Sequence, residues 1–213
     1  MKFSLGVLLV GALIFWPAGT FDYPQGWLLM GILFVPMFVA GLVMLWKRPS
    51  LLQSRLNAKE KAREQSMVVK LSGLMFIVGF VCAGLDYRFG WSQLPTAVCI
   101  IGTMLFLLAY LAYAEVLREN AYLSRTIEVQ DGQRVVDTGM YGIVRHPMYA
   151  ATVVLFLSMP LVLGSLIAFL VFLLYIPIIA ARLLHEEKFL EKELAGYKEY
   201  MQKVKYRLIP FIW

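Results

Sequence analysis

Arg145, His146 and Tyr149 stand at the start of one apolar run, and Arg182, His185, Glu186 and Glu187 stand at the end of the next. Tyr141 lies just before the first group, and Tyr197 and Tyr200 follow the second. Guanidinium and carboxylate groups make charge-assisted hydrogen bonds, and tyrosine faces attract a cation, so the set could hold an ionic ligand. Ionisable groups beside hydrocarbon are costly unless paired or wetted, which favours a functional site over chance. The plainer alternative is that Arg145 and Arg182 pair with the two glutamates only to close the fold. Metal binding is the weaker reading, because His185 and Glu186 are neighbours on a helix and cannot easily turn to one ion. No metal is expected.

The elements that must position these groups follow from composition. Of 213 residues, 60% are hydrophobic and 16% charged, whereas a soluble domain is about half apolar and about a quarter charged. Apolar runs cover 3–16, 26–46, 68–85, 94–116, 148–163 and 165–184. Several approach or exceed the roughly 18–20 residues that cross a bilayer. The expectation is an all-α integral membrane bundle of about six spans in a single domain. The first run is read as a retained span, since Trp16-Pro17 leads poorly into a signal-peptide cleavage site. Little more than Gly164 separates the last two runs, so they should form a tight hairpin; one long re-entrant element is the rival. Pro160 and Pro177 interrupt them, which a bundle tolerates when neighbours satisfy the freed backbone groups. A hairpin would bring Arg145-His146-Pro147 beside Arg182 and Glu186-Glu187.

Lys and Arg concentrate in the segments that six crossings would leave on one side, with Arg88 the clear exception. The positive-inside rule makes that side cytoplasmic, at a cell inner (plasma) membrane. The net charge of +6 then reflects membrane topology and anionic lipid, so no nucleic acid is expected and no protein partner is implied. Cys82 and Cys99 lack metal-site spacing and read as packing residues. Segment 47–66 suits a basic interfacial helix capped by Ser50. Segment 117–140 carries an Asp131-Gly132 turn and reads as a small hairpin or extended loop over the mouth. Phe189, Leu190, Leu194, Tyr197, Met201 and Val204 recur at helical steps, predicting an amphipathic tail helix that bends near Gly196 and ends at Pro210.

"GMYGIVRHPMYA", an apolar hairpin and then "RLLHEEKFLEKELAGYKEYMQKVKYRLIPF" resemble the isoprenylcysteine carboxyl methyltransferase family and its relatives, the phospholipid methyltransferases. The pattern covers about the last 75 residues and is specific in combination. The resemblance implies a single methyltransferase domain over 1–213, with N-terminal spans in 1–116 and the cofactor-binding, catalytic region in 117–213. It implies S-adenosylmethionine as cofactor, held by Tyr141, Val144, Arg145, His146, Pro147, Tyr149, Glu186, Tyr197 and Tyr200. Arg182 and Glu187 would be catalytic, Arg182 orienting an acceptor carboxylate and Glu187 completing its network. The acceptor would be a lipid or another amphipathic small molecule, through carboxyl O-methylation or lipid amine N-methylation. The chain is shorter than the eukaryotic prenylcysteine enzymes, which sets a prenylated protein aside as acceptor. No glycine-rich dinucleotide fingerprint is present. Membrane sterol or enone reductases that use NADPH share a similar Arg-His-Pro and the ending seen in "KYRLIPFIW", which makes them the alternative class. A non-catalytic membrane protein is the remaining one; transport is disfavoured, because the mid-membrane stretches lack charges.

Overall fold

A computed structural model describes residues 2–47, 63–123 and 127–213. In chain order the helices are α1 (Lys2–Ala18), α2 (Pro24–Lys47), α3 (Arg63–Phe89), α4 (Thr96–Glu119), α5 (Pro147–Val162), α6 (Leu166–Phe172), α7 (Tyr175–Glu193) and α8 (Tyr197–Lys203). A short 3-10 turn, Gly139–Gly142, precedes α5, and the described residues form no β-strand. This is the all-α membrane bundle that the composition implies.

All six expected apolar segments are helical, but they differ in reach. Pro24–Lys47, Ser66–Phe89, Thr96–Glu119 and Leu166–Glu193 are long and apolar enough to cross a membrane, while α1 and α5 are shorter. The 16 residues of α5 rise about 24 Å at about 1.5 Å each, short of a hydrocarbon core of about 30 Å. The basic interfacial helix expected over 47–66 lies outside the described residues, apart from its two ends.

Between lipid tails, helices associate by close packing rather than by escaping water. Two glycines show how close that is. A Cβ on Gly79 of α3 would lie 2.3 Å from the Phe172 ring of α6, and one on Gly102 of α4 would lie 2.6 Å from Leu161 Cβ of α5. Ile14, Leu29, Phe106, Phe172 and Leu183 fill the interior, while Leu8, Val35, Leu74 and Leu108 face outward, as a lipid-facing surface requires.

The hairpin forms where the sequence places it. Pro147 opens α5 at a position that needs no N–H donor. Gly164 turns with φ +75, and Ser165 caps α6 by accepting from the Ala168 N–H at 3.1 Å. Pro177 explains the break between α6 and α7: its ring would clash with the carbonyl four residues back, at Leu173, where α6 ends. The return helix lies antiparallel to α5, with the Tyr175 hydroxyl donating to Thr152 Oγ1 at 3.1 Å.

The tail departs from expectation. It bends at Gly196, whose φ of +83 only glycine adopts easily, but the helix stops at Lys203 rather than running to Pro210. From Val204 onward the backbone carbonyls serve groups elsewhere in the fold. Around Asp131-Gly132 the chain makes a turn, Gln133 N–H donating to the Gln130 carbonyl at 3.0 Å, within an extended loop rather than a paired hairpin.

Candidate functional site

The start of α5 is strapped from both sides. The Arg145 and His146 N–H groups donate to the Tyr206 and Arg207 carbonyls, each at 2.9 Å. The Arg145 guanidinium donates through Nη1 to the Val204 and Lys205 carbonyls at 2.8 and 2.9 Å. Its Nε donates to Glu187 Oε1 at 2.7 Å, with His146 Nε2 3.3 Å from the same oxygen. The other oxygen, Oε2, accepts from Arg207 Nε at 2.8 Å. A buried carboxylate with this many charged donors is satisfied rather than stranded.

One turn along, a second network faces outward. The Tyr149 hydroxyl donates to the Glu186 carboxylate and accepts from Arg182 Nε at 3.0 Å. The His146 and Tyr149 rings stack, with centroids 5.7 Å apart and planes at 19°. From below, the Gly196 turn brings Tyr197 and Tyr200 against this surface. Tyr200 donates to the Tyr141 carbonyl at 2.7 Å, and Asn120 Nδ2 donates to the Tyr141 hydroxyl at 3.0 Å.

These groups line a cleft with about 820 Å³ of non-protein space, open solvent at its mouth included. Tyr141, Arg145, His146, Tyr149, Arg182, Glu186, Tyr197 and Tyr200 all contribute to its wall. Val144 and Pro147 do not; they are buried behind it. Glu187, expected to take part in the chemistry, is also absent from the wall. It lies 4% exposed with both oxygens engaged, so its geometry is that of a positioning group.

The rest of the wall comes from the loop after α4, where Glu128, Gln133, Arg134 and Val135 join Asn120 and Tyr122. The sequence places this segment over the mouth, with Val135 beside its turn, but assigns none of these residues to the site, since a polar loop gives no period to read. Glu119 holds the loop's exit, accepting from Met140 N–H at 3.1 Å. Gly139 turns with φ +51, and a Cβ there would also meet the Glu119 carboxylate, so "GMYG" favours its first glycine. Lys203 Nζ donates to Asp137 Oδ2 at 2.6 Å, tying the loop to α8.

Tyr197 Oη is buried and has no hydrogen-bond partner among the described residues. Burial first, and the Glu187 and Glu186 carboxylates next, push the Tyr197 phenol well above its ordinary range. Burial does the same to Tyr200, aided by Tyr141. Both remain O–H donors at neutral pH. A buried donor without an acceptor is costly in the free protein, and here it belongs to a cleft wall that also carries Arg134, Arg182, Glu128 and Glu186. The wall thus offers donors, acceptors, aromatic faces and both signs of charge.

A helical membrane protein with an ion-lined cleft at one end of a hairpin is the class that fold and site define. Residues 97–196 match the family model for phospholipid methyltransferase. The region that builds most of the cleft, from α4 to the bend before α8, is therefore similar to this methyltransferase family, in line with the motifs. Among curated proteins, the Delta(14)-sterol reductase of Mus musculus is 30% identical over 95 residues, which is 41% of this chain. That alignment spans 22% of the reductase.

Proposed function

We propose that this chain is an integral-membrane methyltransferase that takes S-adenosylmethionine into the cleft and methylates a lipid or other amphipathic acceptor. The observation that carries the reading is the donor set beside the hairpin: Glu186 held by Tyr149, His146 stacked on Tyr149, and the unsatisfied Tyr197 hydroxyl, all on one wall. A zwitterionic cofactor fits such a set. Glu186 would accept from its ammonium group. Tyr149, Tyr197 and Tyr200 would present ring faces or hydroxyls to its cationic centre and polar edges. Arg145, His146 and Tyr141 would complete the binding wall, with Val144 and Pro147 fixing the turn from behind.

S-adenosylmethionine, when bound, supplies a methyl group on a positively charged sulfur. The protein's own contribution is mainly positioning, which alone can lower a barrier substantially when two reactants are held in line. Arg182, bonded to Tyr149, would orient an acceptor carboxylate. If the acceptor is an amine, Glu186 would take its proton. Met148, Leu190 and Leu194 add apolar wall, suited to an acceptor with a hydrocarbon part. The cleft would face the cytoplasm of a cell inner membrane, because the basic residues cluster on that side.

The sterol reductase relative supports a second reading, an NADPH-dependent reductase-like enzyme. Calorimetry in detergent with S-adenosylmethionine and with NADPH separates the two. The methyltransferase reading expects binding of the first, and transfer of labelled methyl into an extracted lipid fraction. Binding of NADPH alone would reverse the assignment.

A further inference from the structure

The C-terminal segment contributes none of the cleft wall, yet it holds the residues that do. It also lies beyond residues 97–196, the stretch that matches the methyltransferase family. Its carbonyls at Val204, Lys205, Tyr206 and Arg207 take up donors from Arg145 and His146. Its only side-chain bond to this assembly among the described residues is Arg207 Nε to Glu187 Oε2. Arg207 is 31% exposed at the side chain while Glu187 is 5% exposed, so a surface cation reaches a buried anion. On its outer side the guanidinium lies 5.6 Å from the Trp213 ring centroid, and the Trp213 carbonyl accepts from the Leu208 and Ile209 N–H groups. The arginine is thereby held in place by its own tail.

Glu187 is a carboxylate clamped between two arginines, with His146 on the Arg145 side. Oε1 meets Arg145 and His146, and Oε2 meets Arg207. A carboxylate fixed at Nε2 favours the proton on that nitrogen and sets the ring's orientation. Without Arg207, Oε2 would be a buried acceptor with no partner. The carboxylate would rotate or draw more heavily on His146 and Arg145, both of which line the cleft.

We propose that Arg207 is a positioning residue: by holding Glu187 from behind, it sets the orientation and tautomer of His146 and the stance of Arg145. The C-terminal segment thus takes part in setting the ligand geometry of a cleft that it does not line. This inference rests on the cleft at Arg145-His146 being the ligand site.

The chain has two histidines, so the His146 imidazole signals can be assigned in NMR spectra by comparison with a His185→Asn variant. In ligand-free Arg207→Gln protein the His146 signals should move. S-adenosylmethionine affinity by calorimetry should fall about tenfold, the scale of one lost charge-assisted hydrogen bond. Arg207→Lys keeps the charge and can make the single bond seen here. It should leave the signals near their native positions and affinity within about threefold. If Arg207→Gln fails to fold, Glu187→Gln cuts the same link with little change of shape and must move the same signals. Unmoved His146 signals in a folded Arg207→Gln or Glu187→Gln protein overturn the proposal, as does unchanged affinity in a protein that binds S-adenosylmethionine. Moved signals in a protein that binds no S-adenosylmethionine uphold the positioning role and overturn the cofactor assignment instead.

Discussion

The two ends of the α5–α7 hairpin hold polar groups in opposite ways. At the apex, Asp86 is 2% exposed and accepts from Ser92 N–H at 2.7 Å, from Ser92 Oγ at 2.6 Å and from Ser165 Oγ. Ser92 Oγ in turn lies 3.2 Å from the Leu166 and Ile167 N–H groups that open α6. Tyr23 caps the Leu163 carbonyl at 2.6 Å, and Leu94 N–H meets the Gly164 carbonyl at 3.0 Å. These groups satisfy one another and none of them lines the cleft, although Gln25 Oε1, two residues after Tyr23, is also buried without a partner among the described residues. At the mouth, Glu187 is equally buried and equally satisfied, but Tyr197 retains a hydroxyl without a partner and Glu186 lies on a cleft wall. Burial and charge alone therefore do not mark a site. What separates the two ends is that at the mouth an unpartnered donor and a carboxylate share the wall of one cleft.

The sharpest way to break this comparison is to remove the apex anion. Asp86→Ala strips the acceptor from Ser92 and Ser165 inside an apolar bundle, and unpaired buried donors are expensive. The loss should be about 3 kcal/mol or more, the largest of the effects expected here, and is read as a lowered unfolding midpoint in detergent. Affinity for S-adenosylmethionine among molecules that remain folded should be unchanged. A variant that melts normally but binds poorly would make the apex part of the site.

Glu186→Gln tests the other half. The glutamine keeps the shape and can still accept from Tyr149, so the fold should be nearly unaffected. It loses the charge offered to a cationic group, about 2 kcal/mol or roughly thirtyfold in affinity. Native affinity by calorimetry would remove Glu186 from the binding wall.

Much of this contrast was legible in the sequence, and for a physical reason. Apolar runs separated by Gly164 announce a hairpin, and a hairpin forces Arg145-His146 next to Glu186-Glu187 whatever else the chain does. The apex was less visible. Asp86 sits at the end of an apolar helix, where an acidic residue is as readily interfacial as buried, and its partner Ser165 is 79 positions away. The tail was misread for a related reason. Helical spacing persists to Val204, but periodicity cannot register that the carbonyls from Val204 to Arg207 are taken by Arg145 and His146, which removes the need for helix there. The separate parts played by Glu186 and Glu187 were equally hidden, since adjacent residues on a helix point about 100° apart and only the packed structure says which one faces the cleft.

A smaller effect refines the point about the unpartnered donor. Tyr197→Phe removes the unpartnered hydroxyl and keeps the ring. In the ligand-free protein the change should be neutral or stabilising, by up to about 1 kcal/mol, because a buried donor with no partner is relieved. The bound state should lose about 1 kcal/mol, roughly fivefold in affinity. Melting midpoint and affinity should thus move in opposite directions, whereas a purely structural tyrosine would lower the midpoint.

The smallest effect should come from the exposed pair that ties the cleft loop to α8. The Lys203 ammonium, by hydrogen bond and by charge, holds the Asp137 carboxyl below the usual carboxylate range. A carboxylate depressed in the folded state contributes its tie above the ordinary carboxylate pKa and loses it as pH falls through the lowered value. The sign is therefore fixed: acid should loosen the loop, and base should not. Because the pair is exposed, salt screens it and its effect on overall stability should be below detection. The more sensitive readout is the dissociation rate of S-adenosylmethionine, followed from pH 6 downward at low and high salt. Native protein should release ligand faster as acid protonates Asp137, and high salt should reduce that response. Asp137→Asn should show the faster rate already at neutral pH, with the acid- and salt-dependent part gone. An acid response that survives in this variant would mean that another carboxylate governs the loop, Glu128 on the cleft wall being the first to examine.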